Sequence, residues 1–194
     1  MFSLSQGKEL IKLARKAVES KKVEKKFDKS FEIKKGVFVT IETFPEKELR
    51  GCIGFPYATL KIGEAVQRAA ISAAFEDPRF PPLEREELSK IVFEISILTE
   101  PELIKVKEPK EYFEKIEAGK DGLILQNGPF SGLFLPQVWK QLPSKKEFLE
   151  NLCFKASLSP NYIYDKGTRI WKFRVQIFAE EEPNGKIKII PPES

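Results

Sequence analysis

The segment Glu48–Pro56, ELRGCIGFP, places an arginine two residues before a cysteine and a glycine two residues after it. The segment is predicted to form a strand, in which alternate side chains share a face, so we expect Arg50, Cys52 and Gly54 to point the same way. A neighbouring guanidinium stabilises a thiolate, and Gly54 would leave space beside the sulfur. The pattern therefore fits a reactive cysteine with a depressed pKa, and it fits equally a small, inert cysteine packed beside a helix.

Two other segments hold charged residues that could complete a site around this thiol. The segment 75–83, FEDPRFPPL, is stiffened by three prolines and presents Asp77 and Arg79 directly after a predicted helix. These two side chains could hold a phosphate or carboxylate ligand, although their spacing favours an ion pair that fixes the loop. Glu94 lies on the less apolar face of a later strand, where an edge or solvent position is favoured. If it faces Arg50 or Arg79, it is a candidate general base.

The chain contains no histidine, which excludes Ser-His-Asp and Cys-His catalysis. A general base must then be a carboxylate, a lysine, a tyrosine or the thiolate itself. Two cysteines, Cys52 and Cys153, are too few for a disulfide framework, and we expect both to be reduced. Without histidine they disfavour a zinc site, and a carboxylate site for magnesium or calcium stays open but has no matching loop, so we expect no metal site. Neither a Walker loop nor a GxGxxG motif is present, so the sequence identifies no cofactor.

The composition is that of a globular protein, with 194 residues, 41% hydrophobic and 32% charged. No apolar run approaches the roughly 20 residues needed to cross a bilayer, and the N-terminus lacks the pattern of a signal peptide. We therefore expect a cytoplasmic protein without a membrane segment. Abundant Lys, Glu, Ile and Pro, with few Asn, Gln and Met, indicate a thermophilic source.

The net charge of +4 is concentrated at the N-terminus, since residues 1–30 contain nine Lys or Arg and four Asp or Glu. The remaining residues contain 24 and 25, respectively, and are nearly neutral. The predicted helix 4–21 has an apolar stripe and a basic face formed by Lys8, Lys12, Arg15, Lys16 and Lys22. That face could contact phosphates, but a solvated face on a docked helix is favoured, and the aromatic motif of an RNA-binding sheet is absent.

The predicted order of elements indicates an α+β fold with two subdomains and mixed or antiparallel sheets. We expect helices at 4–21, 60–75 and 144–157, and strands at 36–44, 49–55, 91–100, 102–106, 121–128, 130–136 and 169–180. A hairpin, a helix and a returning strand occur twice, which predicts an internal pseudo-repeat and two lobes, 1–105 and 106–194. The repeat aligns Gly51 with Gly132 and Val92 with Lys172.

The two copies of the repeat differ at the residues that could carry chemistry. The first copy reads RGCIGFP where the second reads SGLFLPQ, so Ser131 and Leu133 replace the arginine and the cysteine. If both copies share a fold, the backbone does not require Arg50 or Cys52. The difference favours a role for them beyond folding.

The chain resembles the AMMECR domain family throughout its length, in the blocks LRGCIG (49–54), AFEDPRFPPL (74–83), FEISILTE (93–100), DGLIL (121–125) and GLFLPQVW (132–139). The resemblance implies a single AMMECR domain, 1–194, with an α+β fold of two subdomains. It implies no assigned reaction. It does imply functional partners among Memo-like and radical SAM proteins, and a site at Leu49, Arg50, Gly51, Cys52, Ile53 and Gly54.

Together these observations favour an enzyme or modification component with a small-molecule cleft around Arg50 and Cys52. In this hypothesis Cys52 is the nucleophile or ligand-contacting thiol, the arginines Arg50 and Arg79 hold an anion, and Asp77 or Glu94 transfers a proton. The alternative is a nucleic-acid- or protein-binding module without catalysis, in which the LRGCIG strand defines a shape. A third hypothesis is a structural partner within a larger assembly.

Overall fold

The computed structural model describes residues 1–191 as two compact units. The first contains Met1–Glu100 and Gln176–Pro191, and the second begins at Pro101 and continues through Val175. The expected lobes, 1–105 and 106–194, do not coincide with these units, because the chain returns to the first unit after residue 175. No helix in the part of the chain that the structure describes is long and apolar enough to cross a membrane.

The first unit is a five-stranded sheet in the order β2-β1-β3-β8-β9, with two long helices. Its elements are α1 (Leu4–Ser20), β1 (Val37–Thr43), β2 (Leu49–Phe55), α2 (Ile62–Phe75), β3 (Ile91–Leu98), β8 (Val175–Glu180) and β9 (Ile187–Ile190). Strand β1 pairs antiparallel with both β2 and β3. Val37, Val39 and Ile41 alternate along β1 and are fully buried in one core with the apolar faces of α1 and α2. This period-2 burial is that of a strand with one buried face, and the strand lies within the predicted range 36–44.

Helix α1 begins where its residues indicate, since Ser3 and Gln6 form a reciprocal capping box. One residue of its expected basic face lies elsewhere. Arg15 is buried, donates from Nε and a terminal nitrogen to Glu180 at 2.6 and 2.7 Å, and lies over the ring of Phe93. Placing Arg15 on the exposed face was therefore wrong, because a distant carboxylate, invisible in the local pattern, draws it into the core.

The second unit is a four-stranded sheet in the order β4-β7-β5-β6. Its elements are β4 (Glu102–Leu103), α3 (Tyr112–Lys115), β5 (Gly122–Asn127), β6 (Phe130–Phe134), α4 (Lys145–Lys155) and β7 (Arg169–Phe173). A separate core forms around Phe148, whose ring stacks on Trp139 at 3.7 Å between centroids. The expected strand 169–180 is not continuous. It is interrupted at Arg174, and its two halves, β7 and β8, belong to different sheets.

The α+β class and the two antiparallel sheets are confirmed. The pseudo-repeat stays a prediction. Both units place the first strand of a hairpin between its partner and the strand that follows the helix, giving β2-β1-β3 and β6-β5-β7. The strand registers differ from the proposed alignment of Gly51 with Gly132 and Val92 with Lys172. Gly51 shares a cross-strand row with Phe93, the residue after Val92, whereas Gly132 shares a row with Ile170, two residues before Lys172.

Candidate functional site

Strand β2 carries the LRGCIG segment at the edge of the first sheet, and a β-bulge changes its expected facing. Gly51 pairs with Ile41 of β1 and Leu49 pairs with Glu42, so Arg50 is the extra residue. Leu49, which is 43% exposed, therefore shares the sheet face of Cys52. The simple alternation that grouped Arg50 with Cys52 and Gly54 is broken at this position, because one additional residue reverses the facing of everything before it.

Arg50 is committed to the segment that follows α2. Its Nε and one terminal nitrogen donate to the carboxylate of Glu87 at 2.8 and 3.1 Å, and the other terminal nitrogen donates to the Pro81 carbonyl at 2.9 Å. The side chain is only 11% exposed. In return, the guanidinium lowers the pKa of Glu87. Arg50 thus fixes the edge strand in place.

Asp77 and Arg79 hold the main chain of Cys52 from outside the sheet. The buried carboxylate of Asp77 accepts the Cys52 N–H at 2.9 Å, and a terminal nitrogen of Arg79 donates to the Cys52 carbonyl at 3.2 Å. Arg79 also donates from Nε and a terminal nitrogen to Asp77, at 2.9 and 2.7 Å. The pair therefore does more than fix its own loop: it satisfies the backbone groups that an edge strand otherwise leaves open.

The hydrogen bonds from Arg79 lower the pKa of Asp77 to about 2, with a further contribution from the Cys52 N–H. A carboxyl that is ionised at all ordinary pH values and fully engaged does not transfer protons near neutrality. The interpretation of Asp77 as a proton-transfer group is therefore not supported. The geometry gives it a positioning role on the backbone of Cys52.

The two glycines that flank Cys52 admit close neighbours. A Cβ at Gly51 would lie 2.1 Å from the carbonyl oxygen of Ala73, so this glycine allows α2 to approach β2. A Cβ at Gly54 would lie 2.3 Å from the Val37 carbonyl oxygen and 2.4 Å from the ring of Phe38. The expected open space at Gly54 is therefore already filled. Ile53, also expected in the site, packs against the core of this unit.

Cys52, Thr40 and Glu94 form one row across three adjacent strands, since Thr40 pairs directly with both of the others. The hydroxyl of Thr40 donates to Cys52 Sγ at 3.3 Å. Directly opposed residues in such a row have Cβ atoms about 5 Å apart. Sequence reasoning found Glu94 and missed Thr40. The signal was present in VFVTIET, where Thr40 and Glu42 make the polar face of β1.

The pKa of Cys52 is raised, and the expected depression is wrong. Burial of the thiol is the largest cause of the increase. The Thr40 hydrogen bond and the charge of Arg79 lower the pKa, and the charges of Glu94 and Asp77 raise it. The cation that acts on the sulfur is thus Arg79. Cys153 lies fully in the core of the second unit, where burial raises its pKa to about 11.

Within residues 1–191, no group of three or more His, Cys, Asp or Glu side chains is placed to hold a metal ion. The chemistry of this site is that of one partly buried thiol, one hydroxyl, one half-exposed guanidinium and two carboxylates. With these groups around it, the Cys52 sulfur can form a covalent bond to a ligand once the thiol proton has been removed.

The fold is an α+β chain of two antiparallel sheets, with Cys52 held by its backbone on the edge strand of the larger sheet. A sequence profile of the AMMECR1 family matches residues 11–178. Since this match covers most of the chain, the protein belongs to the AMMECR1 family. The resemblance inferred from the LRGCIG segment and the later blocks is confirmed.

Archaeal relatives match the chain along nearly its full length. Protein MJ0810 of Methanocaldococcus jannaschii is 46% identical, covering 96% of each chain, and Protein MK0488 of Methanopyrus kandleri is 44% identical, covering 96% of this chain and 94% of that one. The crystal structure of uncharacterized protein PH0010 from Pyrococcus horikoshii superposes with a TM-score of 0.90 at 42% identity, covering 96% and 97%. These archaeal sources fit the thermophilic composition.

Proposed function

We propose that this protein is a thiol-dependent enzyme, or a component of a modification reaction, that acts on a small molecule at Cys52. One observation carries the proposal. Asp77 and Arg79 hold Cys52 at both its N–H and its carbonyl, while the residue is only partly buried and its sulfur accepts a hydrogen bond from Thr40. A cysteine that only fills a core, as Cys153 does, needs no such support.

The raised pKa leaves Cys52 as a neutral thiol near pH 7, so a reaction at sulfur requires a proton acceptor. Glu94 is the candidate base, because it lies in the same cross-strand row and acts electrostatically on the thiol. Thr40 lies between the two, and its hydroxyl can accept a proton from one side while donating to the other. Arg79 stabilises the thiolate that forms, and Arg50 and Asp77 position the strand.

The alternative of a nucleic-acid-binding module depends on the basic N-terminal segment. Burial of Arg15 against Glu180 removes one cation from that surface, and Lys16 is paired with Glu24. Such a module predicts RNA binding that weakens steeply with salt and survives Cys52→Ser. Loss of reactivity at Cys52 with salt-sensitive RNA binding intact is the result that would favour this alternative.

Alkylation by iodoacetamide in the folded protein tests the proposal. The Cys153→Ser variant isolates Cys52, and intact mass is followed over time between pH 6 and pH 10. We expect Cys52 to react without denaturant, with an apparent pKa above that of a free thiol. Glu94→Gln removes a charge that raises the pKa of this thiol, so it should lower the apparent pKa and speed the reaction near pH 7. Glu46→Gln, in the turn between β1 and β2, is the matched control. Modification that requires unfolding would assign Cys52 to the core and overturn the proposal.

A further inference from the structure

Exposed aromatic rings are concentrated in the second unit. Within residues 1–191, five aromatic side chains are largely exposed, and four of them belong to this unit: Phe130, Phe154, Tyr162 and Tyr164. The fifth, Tyr57, lies in the first unit. Aromatic side chains are ordinarily used to fill cores, and several that are exposed side by side mark an interaction surface. The relative positions of the four rings therefore decide whether they form one surface.

Helix α4 is the element around which the rings gather. A Cβ at Gly132 would lie 2.9 Å from both the Ala156 nitrogen and the Leu152 carbonyl oxygen, so β6 runs close beside the last turn of α4. Phe130 precedes Gly132 by two residues in β6 and shares its face of the sheet. Phe154 lies in that last turn. Phe130 and Phe154 are therefore on the same side of the second sheet.

The two tyrosines come from the 3₁₀ helix Pro160–Tyr164, which packs on α4. Ile163 lies between them and is buried, and its backbone forms a hydrogen bond with the thiol of Cys153, the residue before Phe154. The tyrosine side chains flank this buried residue and stay exposed. Three segments of the second unit thus present their rings around the end of α4.

Three cations accompany these rings. They are exposed, and their side chains form no ion pair or hydrogen bond within the part of the chain that the structure describes: Lys155, Lys166 and Arg169. The carboxylates nearest to them in the chain are engaged. Glu150 is paired with Lys146, and Asp165 accepts a hydrogen bond at 2.8 Å from Asn127 Nδ2. Because Asn127 pairs with Phe130 across the hairpin, the same bond ties the loop before β7 to this surface.

We propose that this surface of the second unit binds single-stranded nucleic acid. Cations neutralise phosphates, and unpaired bases stack on exposed aromatic rings whatever their sequence. An acidic protein segment would pair with the cations but has no flat faces to stack on the rings, and a duplex keeps its base faces covered. The proposal does not rest on Cys52, which belongs to the first unit, as do the N-terminal lysines of the alternative above.

Fluorescence anisotropy of a labelled oligothymidylate of about 12 nucleotides, with the full chain, tests the proposal. We expect binding that weakens with salt, and Phe154→Ala and Tyr164→Ala should each weaken it by about tenfold through lost stacking. Lys166→Gln should reduce the salt slope by about one. Tyr57→Ala is the matched control, because Tyr57 and Tyr164 are both 54% exposed, and it should leave binding unchanged. All of these side chains are exposed, so the urea-unfolding midpoint should stay that of wild type.

The competing outcomes are distinct. No binding at low salt, or binding that Phe154→Ala and Tyr164→Ala leave intact, would overturn the proposal, and weakening by Lys25→Gln alone would assign the binding to the N-terminal segment. Equal affinity for a duplex, or equal competition by polyglutamate, would reduce the interaction to charge and overturn the stacking argument. Alkylation of Cys52 is measured separately, so each of these results leaves the proposed function of the thiol standing.

Discussion

Replacing Asp77 by Asn tests the backbone clamp most directly. The substitution keeps the shape of the side chain but replaces Oδ2, which accepts the Cys52 N–H and a terminal nitrogen of Arg79, with a donor. The Cys52 N–H and the terminal nitrogen of Arg79 would then both face the NH₂ group of the new amide, which is also a donor. The pKa of about 2 lies nearly two pH units below the ordinary 3.8, and each unit corresponds to about 1.4 kcal/mol. We therefore expect Asp77→Asn to lower the free energy of unfolding of the first unit by about 2 to 3 kcal/mol at pH 7.

The pH dependence of the free energy of unfolding tests the same ion pair more sharply. The folded-state pKa of Asp77 is depressed, so its stabilisation is fully present above the unfolded value near 4 and is lost as pH falls through about 2. The difference between wild type and Asp77→Asn should therefore be constant from pH 7 to pH 5 and shrink by about 2 kcal/mol toward pH 2. Glu46→Gln, an exposed carboxylate in the same unit, should show little difference at any pH.

Urea unfolding followed by far-UV circular dichroism measures both effects. Tryptophan fluorescence is the wrong probe, because Trp139 and Trp171 both lie in the second unit. A difference between wild type and Asp77→Asn that stays constant down to pH 2 would refute the ion-pair reasoning. A variant as stable as wild type at pH 7 would refute the clamp altogether.

Three other substitutions follow from the same contacts. Thr40→Val removes the hydroxyl that donates to Cys52, so it should raise the thiol pKa further and slow alkylation at pH 7. Thr40→Ser should preserve the pH profile of alkylation. Identical profiles for the Val and Ser variants would exclude a role of the hydroxyl at the thiol. Gly51→Ala places a Cβ at 2.1 Å from the Ala73 carbonyl oxygen and should cost about 2 to 3 kcal/mol in urea unfolding, and a neutral effect would contradict the close helix approach. Glu180→Gln leaves its arginine partner buried without a carboxylate and should cost about 3 to 5 kcal/mol, a loss that a wild-type thermal midpoint would rule out.

Local patterns predicted the elements of the site because those elements are encoded locally. The alternation in β1 and the apolar stripe of α2 each reflect one buried face, and the proline-rich segment after α2 was expected to be stiff. Asp77, Arg79 and Glu94 were identified as groups near the thiol, and each acts on it electrostatically. The second half of the expected strand 169–180 could not be assigned to the other sheet, because β7 and β8 are both apolar strands and nothing local distinguishes their partners.

By itself, the sequence determined the α+β class, the family, the order of the elements and the identity of the thiol. These depend on residue type and period, which are properties of neighbours along the chain. Only the tertiary structure decided what each neighbouring group does at that thiol. A one-residue bulge turned Arg50 toward Glu87, packing brought Arg79 to the backbone of Cys52, and strand register placed Thr40 beside the sulfur. The sign of the thiol pKa then followed from burial, which no local pattern measures.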